Sequence, residues 1–194
     1  MEVVIERLRG SAVQAAALLS PDELARAARL RYTTHRDRFL LAHAFLRRCL
    51  ALRLDVPPER VEFAFSPKGK PHVRGLWFSF SHSGDLAAVA VSAQQVVGID
   101  IEQVRPIDVH TIAADHFTPA EAHALAASAD PVAYFFRLWT RKEAVLKAYG
   151  LGIVDSLAEM PPAQVHDFVP APGYVGAAST VSKEVPAGTS PGRR

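Results

Sequence analysis

Residues 96–104, VVGIDIEQV, show the period of two that is typical of a β-strand. Ile99 and Ile101 alternate with Asp100 and Glu102, so the isoleucines point to one face and the carboxylates to the other. We expect the isoleucines in the core, where they anchor the strand. The sequence therefore predicts a strand that presents two neighbouring carboxylates.

This pair of carboxylates has two interpretations. Adjacent acids repel each other unless a cation intervenes, and Mg²⁺ uses one or two carboxylates together with substrate phosphates. Alternatively, Asp100 and Glu102 lie on a solvated strand face without a ligand. An Asp-x-Glu pattern is a weak signal by itself, so other parts of the chain must decide.

A helix about 40 residues later carries a third carboxylate. Residues 139–150, WTRKEAVLKAYG, place Glu143 and Lys147 one turn apart on one face, with Trp139 one turn earlier. If this helix packs on the strand, Glu143 joins the two strand carboxylates. The simpler alternative is an ion pair between Glu143 and Lys147, which contributes a few tenths of a kcal/mol.

Two further segments offer groups that suit phosphate oxygens. Residues 79–83, SFSHS, lead from a strand into a glycine turn and present hydroxyls and the imidazole of His82. Residues 68–71, KGKP, hold two lysines in a turn, including Lys70. The ordinary alternatives are a polar turn and solvated loop lysines.

Capping and turn signals divide the rest of the chain. Residues 20–23 (SPDE) and 118–121 (TPAE) each have a capping-box pattern with proline at the first helical position. Gly150 is expected as the left-handed C-cap of a long helix that starts at residues 130–131. The other predicted elements are a strand at 3–8, a helix over 35–54, a hairpin of 76–83 and 86–92, and short strands near 163–169 and 175–179.

These elements predict an α+β fold built from two similar halves. In each half, helices precede a strand pair that closes in a strand of small residues. With 194 residues the chain suits one large domain or two small ones. We expect a pseudo-twofold pair of subdomains, residues 1–95 and 96–180, followed by a disordered tail at 181–194.

The composition narrows the class of protein. Hydrophobic residues make up 49% and charged residues 22%, and no apolar run approaches the ~20 residues that span a bilayer. The N-terminus shows no signal-peptide pattern, and the single cysteine, Cys49, excludes an internal disulfide and fits a reducing cytoplasm. A small basic excess without an aromatic-basic stripe argues against nucleic-acid binding.

Charge is distributed unevenly between the halves. Residues 1–95 contain 14 basic and 9 acidic residues, whereas residues 96–194 contain 8 and 11. A basic half beside an acidic half suits a polyanion site next to a cation site. An unevenly charged solvated surface is an equally simple interpretation.

Taken together, these segments resemble the 4′-phosphopantetheinyl transferases of the surfactin-synthetase-activating (Sfp) type. The family has a G-I-D-x-E strand and, about 40 residues later, a W-x-x-K-E-A-x-x-K helix, matched by residues 98–102 and 139–147. Its G-K-P, S-H-S, F-[ST]-x-x-E and P-G-Y motifs are matched, the last more weakly, by residues 69–71, 81–83, 117–121 and 172–174. Several ordered motifs at the right spacing are far more specific than any one of them.

The resemblance implies a fold, an activity and partners. The fold would be the pseudo-twofold α+β transferase fold, with coenzyme A held between its halves and a monomer sufficient for activity. The enzyme would transfer the phosphopantetheine arm of coenzyme A to a serine of an apo acyl- or peptidyl-carrier protein and release adenosine 3′,5′-bisphosphate.

The resemblance also implies roles for individual residues. Asp100, Glu102 and Glu143 would hold Mg²⁺, and Glu143 would also be the candidate catalytic base. Lys147 would be a second catalytic residue and would contact the pyrophosphate. The other coenzyme A phosphate contacts would be Lys70, Ser81 and His82, with Arg26 and Arg38 at the adenosine 3′-phosphate.

Two features depart from the family pattern. Phe39 stands where the family commonly has a polar residue, so one phosphate contact is expected to be missing. Only about 20 residues separate Gly152 from Pro172, where the family usually has a strand pair, so we expect a shortened sheet in the second half. The alternative functions are another Mg²⁺-dependent enzyme acting on a pyrophosphate, and a non-catalytic module that binds coenzyme A or a carrier protein.

Overall fold

A computed structural model describes residues 1–151 and 160–182 of the chain and has the α+β architecture that the sequence predicts. Its helices pack against small antiparallel sheets. The strands are β1 (Glu2–Arg7), β2 (Ala64–Phe65), β3 (Pro71–His72), β4 (Trp77–Ser83), β5 (Leu86–Ser92), β6 (Val96–Gln103), β7 (Gln164–Phe168) and β8 (Tyr174–Val181). The α-helices are α1 (Ala12–Ala16), α2 (Pro21–Ala28), α3 (Thr33–Leu54), α4 (Val109–His116), α5 (Pro119–Ala126) and α6 (Pro131–Tyr149).

The two main sheets have the same topology. The first has the strand order β1-β5-β4 and the second β6-β8-β7, so in each the third strand along the chain lies between the other two. All of these pairs are antiparallel. Helices connect the first strand of each sheet to the later strands. This shared order supports a duplicated unit, while the boundary near residue 95 stays a prediction.

The predicted helix ends are confirmed. Ser20 and Glu23 form a capping box at α2, and Thr118 and Glu121 form one at α5, each with proline in the first turn. Gly150 ends α6 with a φ of 68°, a left-handed conformation that glycine adopts without steric cost.

The strand β5 connects the cores of the two halves. Its residues Ala87, Val89 and Val91 pack in the core that includes α3, whereas Leu86, Ala88 and Ala90 pack in a core shared with the second sheet. That second core also contains Val97, Ile99 and Ile101 of β6, as the sequence predicts. Because β5 is buried on both faces, it holds β6 at a fixed place beside the first sheet.

Several boundaries differ from the predictions. The last strand, β8, has eight residues and pairs with β6 along its full length, so Val181 belongs to the sheet rather than to the tail. The rest of the predicted tail, from residue 183, lies outside the described residues. The sequence analysis did not identify α1 or α4, which are helices of five and eight residues.

The second sheet has three strands within the described ranges, the same number as the first. The strand β7 lies between α6 and Pro172 where the sequence predicts one. The shortened sheet was expected from a comparison with the family pattern, and it stays a prediction. Across residues 1–151 and 160–182, none of the helices has the length and apolar character needed to cross a bilayer.

Candidate functional site

Gly98 is the point at which α6 meets β6. A Cβ atom at this position would lie 1.8 Å from the Ala144 carbonyl oxygen and 2.7 Å from the Ala148 nitrogen, so only glycine permits this approach. The Ser179 hydroxyl donates to the same Ala144 carbonyl at 2.8 Å and holds the helix from β8. The contact brings Glu143 and Lys147 of α6 to the carboxylates of β6.

Asp100 is buried at this junction, with 4% of its surface exposed, which excludes the solvated strand face. Its Oδ1 accepts hydrogen bonds from Lys147 Nζ at 2.6 Å and from the Ser81 hydroxyl at 2.7 Å. Its Oδ2 is also buried and has no hydrogen-bond partner in the described part of the chain. Lys147 therefore pairs with Asp100 across the helix–strand contact instead of with Glu143 on its own helix.

Glu143 and Glu102 add two further carboxylates. Burial raises the pKa of Glu143, and the charges of Asp100 and Glu102 add to this effect while Lys147 opposes it. Burial also raises the pKa of Glu102, with Asp100 contributing, although Ser83 donates to Glu102 Oε2 at 2.6 Å. Glu143 Oε1 is buried and, among the described residues, has no hydrogen-bond partner.

These acids provide the donors that a hard cation uses. Carboxylate oxygens are the preferred protein ligands of Mg²⁺, and Asp100 and Glu143 each carry a buried oxygen that no described residue contacts by a hydrogen bond. Within the described ranges, however, the acids are not gathered into a group of three that could hold a metal. Their donor types fit Mg²⁺, and the metal role of Asp100, Glu102 and Glu143 stays a prediction.

All nine predicted site residues line one cleft between the two halves, with a volume of about 1730 Å³. The first half contributes Arg26, Arg38, Lys70, Ser81 and His82, and the second contributes Asp100, Glu102, Glu143 and Lys147. Among these nine residues the three carboxylates come from the second half, although acids of the first half, including Glu23, Glu59 and Glu62, also line the cleft. The roles of the nine residues stay predictions.

Lys70 and His82 are ionisable groups whose pKa is lowered by the cleft walls. Burial lowers the pKa of Lys70 to about 8, and its Nζ donates to the Ala148 carbonyl near the end of α6 at 2.9 Å. His82 is exposed at the cleft surface, yet loss of solvent from the cleft walls around it lowers its pKa to about 4, with His43 and Lys147 adding positive charge nearby. An anion in the cleft would favour the charged form of both groups.

Arg26 and Arg38 lie on the wall formed by the N-terminal helices. Arg38 is exposed and donates to Asp85 Oδ1 at 2.8 Å. The Arg26 guanidinium lies over the ring of Phe39 at 5.5 Å, and the same ring stacks on His43 at 3.9 Å. Phe39 therefore supports an aromatic and cationic wall where a polar side chain was expected from the family pattern.

The sequence analysis missed a buried ionic network beneath this wall. Arg47 donates to Glu23 at 2.8 Å, and His43 lies 3.0 Å from the other oxygen of the same carboxylate. Burial opposes ionisation of Glu23, but the hydrogen bonds from His43, Arg47 and Ser20 lower its pKa to about 2. The signal in the sequence that could have predicted this network was the presence of polar residues within the buried stretch of α3. The network fixes α2 against α3 and so positions Arg26 and Phe39.

The chain is similar to one family of known proteins. Residues 96–182 match the model of the 4′-phosphopantetheinyl transferase superfamily. The chain is 43% identical over 147 residues to the 4′-phosphopantetheinyl transferase HetI of Nostoc, which covers 71% of this chain and 62% of that protein. It is 37% identical over 140 residues to the 4′-phosphopantetheinyl transferase psf-1 of Bacillus pumilus, covering 70% and 59%. A third match, 30% identical over 142 residues, is a 4′-phosphopantetheinyl transferase of Bacillus subtilis, covering 71% and 62%.

The chain thus spans about three fifths of the length of these curated relatives. The matched family region contains Gly98, the carboxylates of β6 and the Glu143–Lys147 face of α6. Residues 96–182 are thus similar to the 4′-phosphopantetheinyl transferase superfamily.

Proposed function

We propose that this protein transfers the 4′-phosphopantetheine arm of coenzyme A to a serine of an apo acyl- or peptidyl-carrier protein, with Mg²⁺, and releases adenosine 3′,5′-bisphosphate. The observation that carries the proposal is that basic residues and the acids Asp100, Glu102 and Glu143 line one cleft. The protein family whose model residues 96–182 match and the names of the relatives support the same activity.

The basic side of the cleft suits the phosphates of coenzyme A. Arg26, Arg38, Lys70 and His82 supply donors, and burial is the main cause of the lowered pKa of Lys70 and His82. Binding of a phosphate beside these groups stabilises their charged forms. We assign Arg26 and Arg38 to the 3′-phosphate and Lys70 and His82 to the remaining phosphates.

The acidic side of the cleft suits the chemical step. Mg²⁺, held by Asp100, Glu102 and Glu143, would neutralise charge on the pyrophosphate. The carrier serine oxygen attacks the phosphorus that bears the pantetheine arm, and the bond from that phosphorus to the departing adenosine bisphosphate breaks. Glu143 is the proposed acceptor of the serine proton, directly or through a water molecule. Lys147 neutralises the leaving phosphate.

The proposed partners follow from this assignment. They are coenzyme A and a carrier protein in the cytoplasm, and neither nucleic acid nor a membrane is required. We propose that a monomer suffices, because the residues assigned to both sides of the cleft come from one chain.

Three reactions with purified protein separate the proposal from its alternatives. A transferase modifies an apo carrier protein when coenzyme A and Mg²⁺ are present and leaves coenzyme A intact without the carrier. A pyrophosphate hydrolase consumes coenzyme A without any carrier. A non-catalytic module is stabilised thermally by coenzyme A but turns over nothing. Either of the last two results would contradict the proposed transfer.

A further inference from the structure

Serine side chains connect β4 to β6 where the two halves meet. Ser79, Ser81 and Ser83 lie at alternate positions of β4, and each hydroxyl oxygen accepts a hydrogen bond from a backbone N–H of β6. The donors are Ile99, Ile101 and Gln103, at 3.1, 3.2 and 3.1 Å. The three serines therefore make the same structural contact, two residues apart.

Two of these serines make a second hydrogen bond that the third does not share. The Ser81 hydroxyl donates to Asp100 Oδ1 at 2.7 Å, and the Ser83 hydroxyl donates to Glu102 Oε2 at 2.6 Å. The residue before Ile99 is Gly98, which has no side chain that could accept a hydrogen bond from Ser79. The pattern of serines thus matches the pattern of acids across the junction.

The number of protons limits what Ser81 can do. A serine hydroxyl has one proton to donate, and in this structure Ser81 donates it to Asp100. The same hydroxyl cannot donate to a phosphate of coenzyme A at the same time. This arrangement differs from the phosphate contact that the family resemblance implied for Ser81.

We infer that Ser81 and Ser83 are positioning residues, which orient the carboxylates of Asp100 and Glu102 toward the metal of the proposed function. The inference rests on that function and deepens it. Each serine occupies one carboxylate oxygen and is itself fixed by a backbone N–H of β6, so the carboxylate cannot rotate freely. Removing a hydrogen-bond partner that orients a metal ligand typically lowers the metal affinity about 10–100-fold.

Three single variants test the inference with a matched control. Ser81→Ala and Ser83→Ala each remove a backbone contact and a carboxylate contact, whereas Ser79→Ala removes a backbone contact alone. Mn²⁺, used as a probe, is titrated into each full-length protein with saturating coenzyme A, and free Mn²⁺ is followed by electron paramagnetic resonance. The affinity for coenzyme A is measured separately in EDTA, so that loss of a phosphate contact is distinguished from loss of metal binding.

We expect Ser81→Ala and Ser83→Ala to weaken Mn²⁺ binding about tenfold or more and Ser79→Ala to change it less than about twofold. Coenzyme A affinity in EDTA stays at the wild-type value in all three, and Ser81→Thr, which keeps the hydroxyl, retains Mn²⁺ binding. Equal Mn²⁺ affinity in the three alanine variants, or weaker coenzyme A binding by Ser81→Ala in EDTA, would overturn the inference. Wild-type protein that binds neither Mn²⁺ nor coenzyme A would instead refute the proposed function itself.

Discussion

Lys147 Nζ lies 2.6 Å from Asp100 Oδ1, and this ion pair connects α6 to β6 in the wall of the cleft. Asp100 is buried, whereas the Lys147 side chain keeps 30% of its surface exposed. The pair therefore places a cation against a buried carboxylate in the part of the site where we propose that metal and pyrophosphate bind. Removing the lysine leaves the aspartate charge without its strongest partner.

The Lys147–Asp100 pair predicts a loss of stability in Lys147→Met. We expect the free energy of unfolding to fall by about 1–3 kcal/mol, because a buried group loses its charged hydrogen-bond donor. Urea denaturation monitored by circular dichroism measures the change. The double variant Lys147→Met/Asp100→Asn is the control and should recover part of the loss; an undiminished stability of the single variant would contradict the assigned pair.

The close contact at Gly98 predicts that Gly98→Ala is strongly destabilising. The added methyl group would overlap the Ala144 carbonyl, so α6 must move away from β6 at a cost of about 1–3 kcal/mol or more. Ser179→Ala, which removes a hydrogen bond to the same carbonyl without adding volume, should cost about 1 kcal/mol. Denaturation curves compare the two, and a Gly98→Ala protein as stable as wild type would show that the helix approaches less closely.

The lowered pKa of His82 predicts a pH-dependent stability. Between its ordinary pKa of 6.5 and its folded value of about 4, the unfolded chain binds a proton that the folded chain does not. Stability therefore falls as the pH is lowered through this window, and His82→Gln should flatten that part of the profile. His110→Gln, at an exposed position of α4, is the matched control. Identical profiles for wild type and His82→Gln between pH 6.5 and 4 would disprove the shift.

The raised pKa of Glu143 predicts that Glu143→Gln is more stable than the wild type at pH 7. A carboxyl group whose pKa is higher in the folded protein than its ordinary 4.5 stabilises the folded state below pH 4.5. This contribution to stability is lost as the pH rises through the folded pKa. Neutral glutamine avoids this cost, so we expect a gain of about 0.5–2 kcal/mol. The thermal midpoint at pH 7 and pH 4 measures it. The gain should shrink at pH 4, and a variant that is less stable at pH 7 would refute the explanation.

Local signals in the sequence predicted most of the fold. The capping boxes at Ser20 and Thr118 and the C-cap at Gly150 depend on residues within four positions of one another, and all three are present. The period of two in β6 also correctly placed Ile99 and Ile101 in the core. These signals arise from backbone geometry and burial within a single element, so they need no knowledge of distant partners.

Contacts between distant elements could not be predicted in the same way. Nothing near Lys147 in sequence identifies Asp100, which is 47 residues away, as its partner, and the simpler expectation was Glu143 one turn along the helix. The hydrogen bonds of Ser81 and Ser83 depend on β4 lying beside β6 in one register. The motifs therefore predicted which residues share the cleft, whereas the packing at Gly98 determines how they pair.

The modification of an apo carrier protein tests the central claim most directly. The purified protein is incubated with coenzyme A, Mg²⁺ and each of several diverse apo acyl- and peptidyl-carrier proteins, and the intact mass of the carrier is measured. We predict a mass increase of one phosphopantetheine on at least one carrier, abolished in Glu143→Gln and in Asp100→Ala. No mass increase on any carrier with well-folded protein would contradict the proposed transfer, and full activity of either variant would contradict the assigned metal site.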